Sequence, residues 1–267
     1  MNPRTIKRYG WNRDHLDPRD KSFNLEEPIK QPHELPSKFT WRPEMPPVYN
    51  QLELGSCTAN GNAAVFERQE MKQDEAAVTP SRLFIYYQER VYEGTVNEDS
   101  GAQVRTGIKV LVNEGAPAES VWPYDIQKFA EKPPQAAYLE AKKHEAIKYQ
   151  RIQPGGAGAP LRTAIAEYGP VVFGFIVPEM FEDETRWNPR TEALPLPSAR
   201  ENYIGGHCTV LTGYDWTRER FPFDAFEVRN SWGDEWGDGG YFWIRAGWVS
   251  EPHRELSSDF WLVTRTS

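Results

Sequence analysis

In the first half of the chain apolar residues recur at helical spacing; in the second half they alternate. Across residues 58–73 the small residues Ala59, Gly61, Ala63 and Ala64, with Phe66 and Met71 for bulk, predict a helix packed closely on several sides. Leu83, Phe84, Tyr86, Tyr87 and Val91 predict a second helix over 80–93, with Ser81 near its start. A third is expected over 104–114, closed by Gly115 and Pro117, and a short charged one over 134–145. The polar run 97–102 is a loop. Strand patterns then take over at 146–152, 171–177, 208–214, 225–229 and 241–245, interrupted by one short helix over 161–168 that ends at Gly169. Helices early and strands late argue for an α+β fold in two lobes. The expected division is 35–150, mainly helical, and 151–267, mainly β, with the boundary near 145–155. Ahead of them, 1–34 is a polar extension. Tyr9, Trp11, Leu16 and Phe23 can pin it to the body, or it can lie near or over a cleft.

Composition narrows the partners. The chain has 267 residues, 39% of them hydrophobic and 13% aromatic, enough for a large core that needs no covalent staple. Its net charge of −8 disfavours nucleic acid, and the basic residues Arg4, Lys7, Arg8 and Arg13 are soon offset by Asp14, Asp17 and Asp20. The longest apolar run, 171–177, is far too short for a bilayer, so no membrane partner is expected. The charged start is followed by no apolar region, so no signal peptide is visible. The expected location is the cytoplasm, or outside it by a route that needs no such leader. A monomer is expected.

Two cysteines, Cys57 and Cys208, allow at most one disulfide. The glycine-rich run 154–160 has no Lys-Ser/Thr pair and suits a lobe connection better than a phosphate cradle. The acidic run 234–240 lacks the spacing of a calcium loop and suits a tight turn between strands. His15, His33, His144, His207 and His253 form no ligand cluster with a cysteine, so no metal and no cofactor are expected.

The candidate chemistry gathers on Cys57. A thiol is a poor nucleophile until it ionises, and a helix N-terminus with a neighbouring imidazolium can depress its pKa from about 8.5 to roughly 3–4. Cys57 follows Gly55 and Ser56 and opens the first predicted helix, which supplies the first advantage. His207, in the run Gly205-Gly206-His207-Cys208, can supply the second. Side chains alternate along a strand, so a His207 that faces a cleft leaves Cys208 buried in the interior as an inert thiol. That arrangement also disfavours a disulfide between Cys57 and Cys208. In Asn230-Ser231-Trp232-Gly233, a neutral amide oxygen can accept the second imidazole N–H while Trp232 keeps water off the bond.

Together, Gln51…Gly55-Ser56-Cys57, Gly206-His207 and Asn230-Ser231-Trp232-Gly233…Trp236-Gly237 resemble the active-site segments of papain-like (cathepsin-type) cysteine peptidases. The similarity extends over 35–267, from Leu35-Pro36…Trp41-Arg42 to Gly239-Gly240-Tyr241. Two departures stand out. Leu54 occupies the place of a half-cystine three residues before the nucleophile, and Thr58 and Ala59 replace the aromatic that usually follows it. The missing cystines and the leader around Trp11 resemble bacterial members of the family, xylellain-type enzymes among them.

The resemblance implies a papain-like two-lobed fold, helical left and β-barrel-like right, with the cleft between. It implies a cysteine endopeptidase working through an acyl-enzyme, in which Cys57 attacks, His207 shuttles the proton, Asn230 orients His207, and the Gln51 amide with the Cys57 N–H holds the oxyanion. Gly101 and Ala102, with Trp232, Trp236 and Gly206, would line the substrate path. Specificity would depend on residues near the C-terminus, with Glu251, Glu255, Ser257 and Asp259 as candidates. The implied partners are peptide or protein substrates and proteinaceous cysteine-protease inhibitors. A papain-fold acyl or peptidyl transferase, or a non-catalytic peptide-binding homologue, is the alternative.

Overall fold

Helix α2, Cys57–Lys72, is the element on which the rest is packed, and every residue from Cys57 to Glu70 is buried. The structure, a computed structural model, describes residues 9–72, 78–143, 148–155, 158–250 and 255–264. The small residues of α2 let other layers approach closely. A Cβ added at Gly61 would lie 3.2 Å from the Cys208 sulfur and 3.4 Å from Val172 on the facing sheet. Around α2 lie α3, Arg82–Glu93, and α4, Val104–Asn113. The Ser81 hydroxyl caps α3 by accepting the Phe84 N–H at 3.1 Å, and Gly94 ends it in the left-handed region at φ 74°. The fourth expected helix is shorter, α5 over Gln135–Ala141.

The second layer is one sheet of eight strands. Along it run β4 (Lys148–Ile152), β10 (Ser257–Thr264), β5 (Val171–Pro178), β7 (Tyr203–Asp215), β8 (Ala225–Arg229), β9 (Tyr241–Arg245) and β6 (Ala193–Leu194), while β2 (Lys38–Thr40) pairs beside β7. All pairings are antiparallel except β6 with β9. Among the described residues β4 and β6 end the path, and β2 pairs with β7 alone. The sheet's two faces serve different cores. Val172, Cys208, Val210, Trp261 and Val263 pack with α2. Phe173, Phe175, Leu211, Phe226, Val228 and Phe242 form the other core, with α6 (Ala159–Glu167) laid against it.

Strand β10 was not anticipated from the pattern. It starts Ser257-Ser258-Asp259, and its register with β5 shifts between Ser258 and Trp261, where Asp259 takes a left-handed φ of 58°. A bulge of that kind removes the alternation by which strands are recognised. Two-residue strands are equally silent in a sequence: β1, Trp11–Asn12, pairs parallel with β3, Ala102–Gln103. The run 234–240 is the tight turn expected between β8 and β9, with Gly237, Gly239 and Gly240 at positive φ.

Candidate active site

The turn 50–56 delivers Cys57 to the head of α2, where the first amide N–H groups lack intrahelical partners. Gln51 is fully buried and stitched to the sheet side twice. Its backbone N–H donates to the Ser231 carbonyl at 2.8 Å, and its Oε1 accepts the Ser231 hydroxyl at 2.7 Å. Its Nε2 donates to the Leu54 carbonyl at 2.9 Å, and an amide nitrogen carries two hydrogens, so one donor direction is left for another acceptor. Asn60 closes the turn by donating to the Ser56 carbonyl at 2.9 Å.

On the sheet side, β7 and β8 carry His207 and bring Asn230 beside it. Nε2 of His207 lies 2.8 Å from Oδ1 of Asn230, and the same oxygen accepts the Ser231 N–H at 2.9 Å. The Ser231 N–H settles which end of the amide faces the ring, so Nε2 is the nitrogen that carries hydrogen. In the neutral ring, Nδ1 then holds the lone pair. Trp232 stacks on the imidazole with centroids 5.0 Å apart, and the ring is fully buried. Trp236 lies one ring further out, edge-on to Trp232 at 4.9 Å.

The two sides meet at the sulfur. The backbone N–H of Cys208, the residue after His207, points at the Cys57 thiol, as do those of Gly10 and Thr58. Cys208 is buried as expected, but it faces α2, with its sulfur against Gly61, while its neighbour His207 sits with Phe175 and Trp232 on the opposite side of the strand. Burial pushes the Cys57 thiol up to about 12 against the pull of those three N–H groups, and buried Glu89 pushes it further the same way. The depressed thiol expected from a helix N-terminus and an imidazole is absent because Cys57 is sealed from water, with no exposed surface at all.

What covers it is the chain's own start. Gly10 lies on the turn so closely that a Cβ there would be 1.7 Å from the Gly55 carbonyl oxygen. The Gly10 carbonyl accepts the Ala102 N–H at 2.8 Å, and Gly101, at φ 70°, has room for no side chain beneath it. On one side Tyr9 packs edge-on to His207 at 5.7 Å and bonds Glu182. On the other, Trp11 fills a recess made by two glycines: a Cβ at Gly174 or Gly206 would lie 1.9 or 2.6 Å from its ring. Its indole N–H donates to Asp259 at 3.2 Å.

Acid–base pairs tie the segment down beyond that point. The Asp14 N–H donates to Asp259, and the Asp14 carboxylate accepts from the Trp261 indole at 2.7 Å and the Arg105 N–H at 3.1 Å. Asp17 and Asp20 bind Arg105 at 2.7 and 2.6 Å, and Arg151 bridges to Asp259 at 2.8 Å. Burial and the neighbouring Asp259 carboxylate raise Asp14 to about 7. Of the four C-terminal candidates for the specificity pocket, Asp259 reaches this recess; Glu251 lies outside the described residues. Tyr9, Gly10 and Asp14 had no motif to flag them as parts of the site.

Residues 35–255 match the papain family cysteine proteases. The chain belongs to the papain family. An uncharacterised peptidase C1-like protein of Acanthamoeba polyphaga mimivirus is 37% identical over 98% of the chain and 89% of its own length. The crystal structure of xylellain, a cysteine protease from Xylella fastidiosa, superposes with a TM-score of 0.84 at 32% identity, covering 100% of this chain and 99% of that one. Cathepsin J of Mus musculus is 28% identical over 79% of the chain and 60% of its own length. The chain is thus a papain-family cysteine peptidase, a hydrolase, with the papain-like α+β fold.

Proposed function

We propose that this papain-family peptidase cleaves peptide bonds within chains through an acyl-enzyme on Cys57, and that residues 9–22 hold it closed until they are displaced. The observation that carries the reading is the junction of the two sides: His207 is oriented by Asn230, and Gln51, on the turn that delivers Cys57, is bonded twice to Ser231, the residue after Asn230.

With the segment lifted, water and substrate replace it, and the desolvation that keeps the thiol neutral falls away. The Cys57 proton moves to Nδ1 of His207, and Asn230 holds the hydrogen on Nε2. The thiolate attacks the scissile carbonyl carbon, and the carbonyl electrons move to oxygen, which the Cys57 N–H and the second Nε2 hydrogen of Gln51 receive. Collapse breaks the C–N bond, and the imidazolium gives its proton to the leaving amine. Water, deprotonated by His207, then attacks the thioester, and the carboxylic acid leaves as the thiolate reforms. Ala102, whose N–H holds the Gly10 carbonyl when closed, offers that donor to a substrate backbone in the open state. The covering segment is itself spared, because Gly10 turns its amide hydrogen toward the sulfur and its carbonyl oxygen toward Ala102.

The two lobes, 35–150 and 151–267, supply Cys57 and the His207–Asn230 pair respectively. A peptidyl epoxide should label Cys57 stoichiometrically in the full-length chain and not in Cys57→Ala. Absence of labelling under conditions that expose the segment to proteolysis would overturn the reading. Product analysis on a peptide separates hydrolysis, the expected result, from transfer to an added amine.

A further inference from the structure

The turn that carries the nucleophile and the loop that carries Gly101 and Ala102 are far apart in sequence, and neither has a cystine to hold it. Both cysteines are free, and Leu54 stands where the family resemblance places a half-cystine. One side chain joins the two. The Gly55 N–H donates to both carboxylate oxygens of Asp99, at 3.0 and 3.2 Å. The Tyr86 hydroxyl donates to Asp99 Oδ1 at 2.5 Å and accepts the Gly101 N–H at 3.1 Å. A chain of three hydrogen bonds thus runs from Gly55 through Asp99 and Tyr86 to Gly101. A Cβ at Gly55 would lie 2.9 Å from Asp99 Oδ1, so residue 55 is glycine where the carboxylate must reach the backbone.

The carboxylate is itself placed by a buried cation. Arg90 lies with its guanidinium 4.1 Å from the centroid of the Tyr86 ring and donates to the carbonyls of Val96 and Glu98 at 2.7 and 3.2 Å. Those carbonyls shape the loop immediately before Asp99.

We propose that Asp99 is a positioning residue: by holding the Gly55 N–H and, through Tyr86, the Gly101 N–H, it sets the oxyanion-binding turn and the substrate-binding loop in register with each other. The proposal rests on the peptidase reading above. Asp99 touches neither substrate nor sulfur; it acts through Gly55. Misplacement of a catalytic donor by about 1 Å can cost on the order of 10²-fold in rate, and loss of an oxyanion donor 10²–10³-fold.

The test uses the full-length chain carrying Trp11→Ala, which loosens the cover, with rates expressed per active site titrated by a peptidyl epoxide. Asp99→Ala should lower kcat/KM on a peptide by about 10–100-fold, mostly in kcat. Asp99→Asn, which keeps an acceptor for Gly55, should recover most of that loss. Tyr86→Phe should act mainly on KM, since it frees the Gly101 N–H, and the double variant should fall short of the product of the single effects. Alkylation of Cys57 by iodoacetamide needs no oxyanion, so its rate and pH profile should stay at the parent's values in Asp99→Ala. The inference is overturned if Asp99→Ala turns over peptide within about twofold of the parent, or if alkylation falls in step with turnover, the mark of a general loss of structure. A parent chain that titrates with epoxide yet cleaves no peptide would instead sink the peptidase reading itself.

Discussion

The groove and the segment lying in it are held by different forces. In the groove the decisive side chains, Gln51, His207, Asn230 and Ser231, are all buried, and they are joined by short hydrogen bonds under a lid of stacked rings. Over the groove, one buried indole is backed by carboxylates and guanidinium groups: Asp17 and Asp20 against Arg105, Asp20 and Asp259 against Arg151, and Arg13 against Glu255. Buried neutral hydrogen bonds respond little to pH or salt, whereas ion pairs and a strained carboxylate respond to both. Rigidity is thus concentrated in the machinery and adjustability in its cover.

The comparison breaks most visibly at Gln51. Replacing it with alanine should cut kcat on a peptide by about 10²–10³-fold, while epoxide labelling still reports an intact nucleophile. Full activity in Gln51→Ala would mean that the groove's hydrogen bonds are structural only. On the cover, Trp11→Ala removes a buried aromatic worth about 3 kcal/mol, a factor on the order of 10² in the open population. It should speed labelling of Cys57 in the full-length chain by that order without changing kcat per titrated site. An unchanged labelling rate would show that the indole is not what holds the segment down.

Titration sharpens the contrast further. Asp14 faces the Asp259 carboxylate, the Trp261 indole, the Arg105 N–H and the Arg151 charge, and its pKa is raised to about 7 from an ordinary 3.8. A raised carboxyl favours the docked segment when protonated. Its contribution is fully present below the ordinary value and is lost as pH rises through about 7. Relative to an Asp14→Asn chain, labelling of wild-type Cys57 should therefore accelerate as pH rises from about 4 to about 7, by less than about tenfold per pH unit for one group, and should level off above that. Parallel pH profiles in the two chains would remove Asp14 from the latch. The smallest effect belongs to Arg13. Its ion pair with Glu255 at 2.8 Å has side chains 45% and 73% exposed. Such a pair is worth about 0–1 kcal/mol, so Arg13→Ala should change labelling by less than about fivefold and only at low salt.

Much of the fold was legible because its signals are local. The small-residue helix at 58–73 appeared as α2, Cys57–Lys72, and the strand patterns at 225–229 and 241–245 appeared as β8 and β9 at the same bounds. Strand β10 stayed hidden because Asp259 breaks its period, and β1 and β3 because two residues carry no period at all. The candidate site was legible through three motifs whose residue types fit one chemistry. Its state was not. Whether a helix-terminal thiol is depressed or raised depends on whether water reaches it, and Cys57 is sealed by Gly10, forty-odd residues upstream, where glycine alone fits.

By itself the sequence determined the α+β class, the family resemblance and the cast of Cys57, His207, Asn230 and Gln51, since periodicity, turn residues and short motifs act over neighbouring positions. Only the tertiary structure decided that Trp11 sits in the recess between Gly174 and Gly206, that Asp14 and Asp259 share one buried site, and that Asp99 ties Gly55 to Tyr86. Each of those depends on which distant segments share a few ångströms of dry space. Desolvation and hydrogen-bond geometry act over that distance, whatever the separation along the chain.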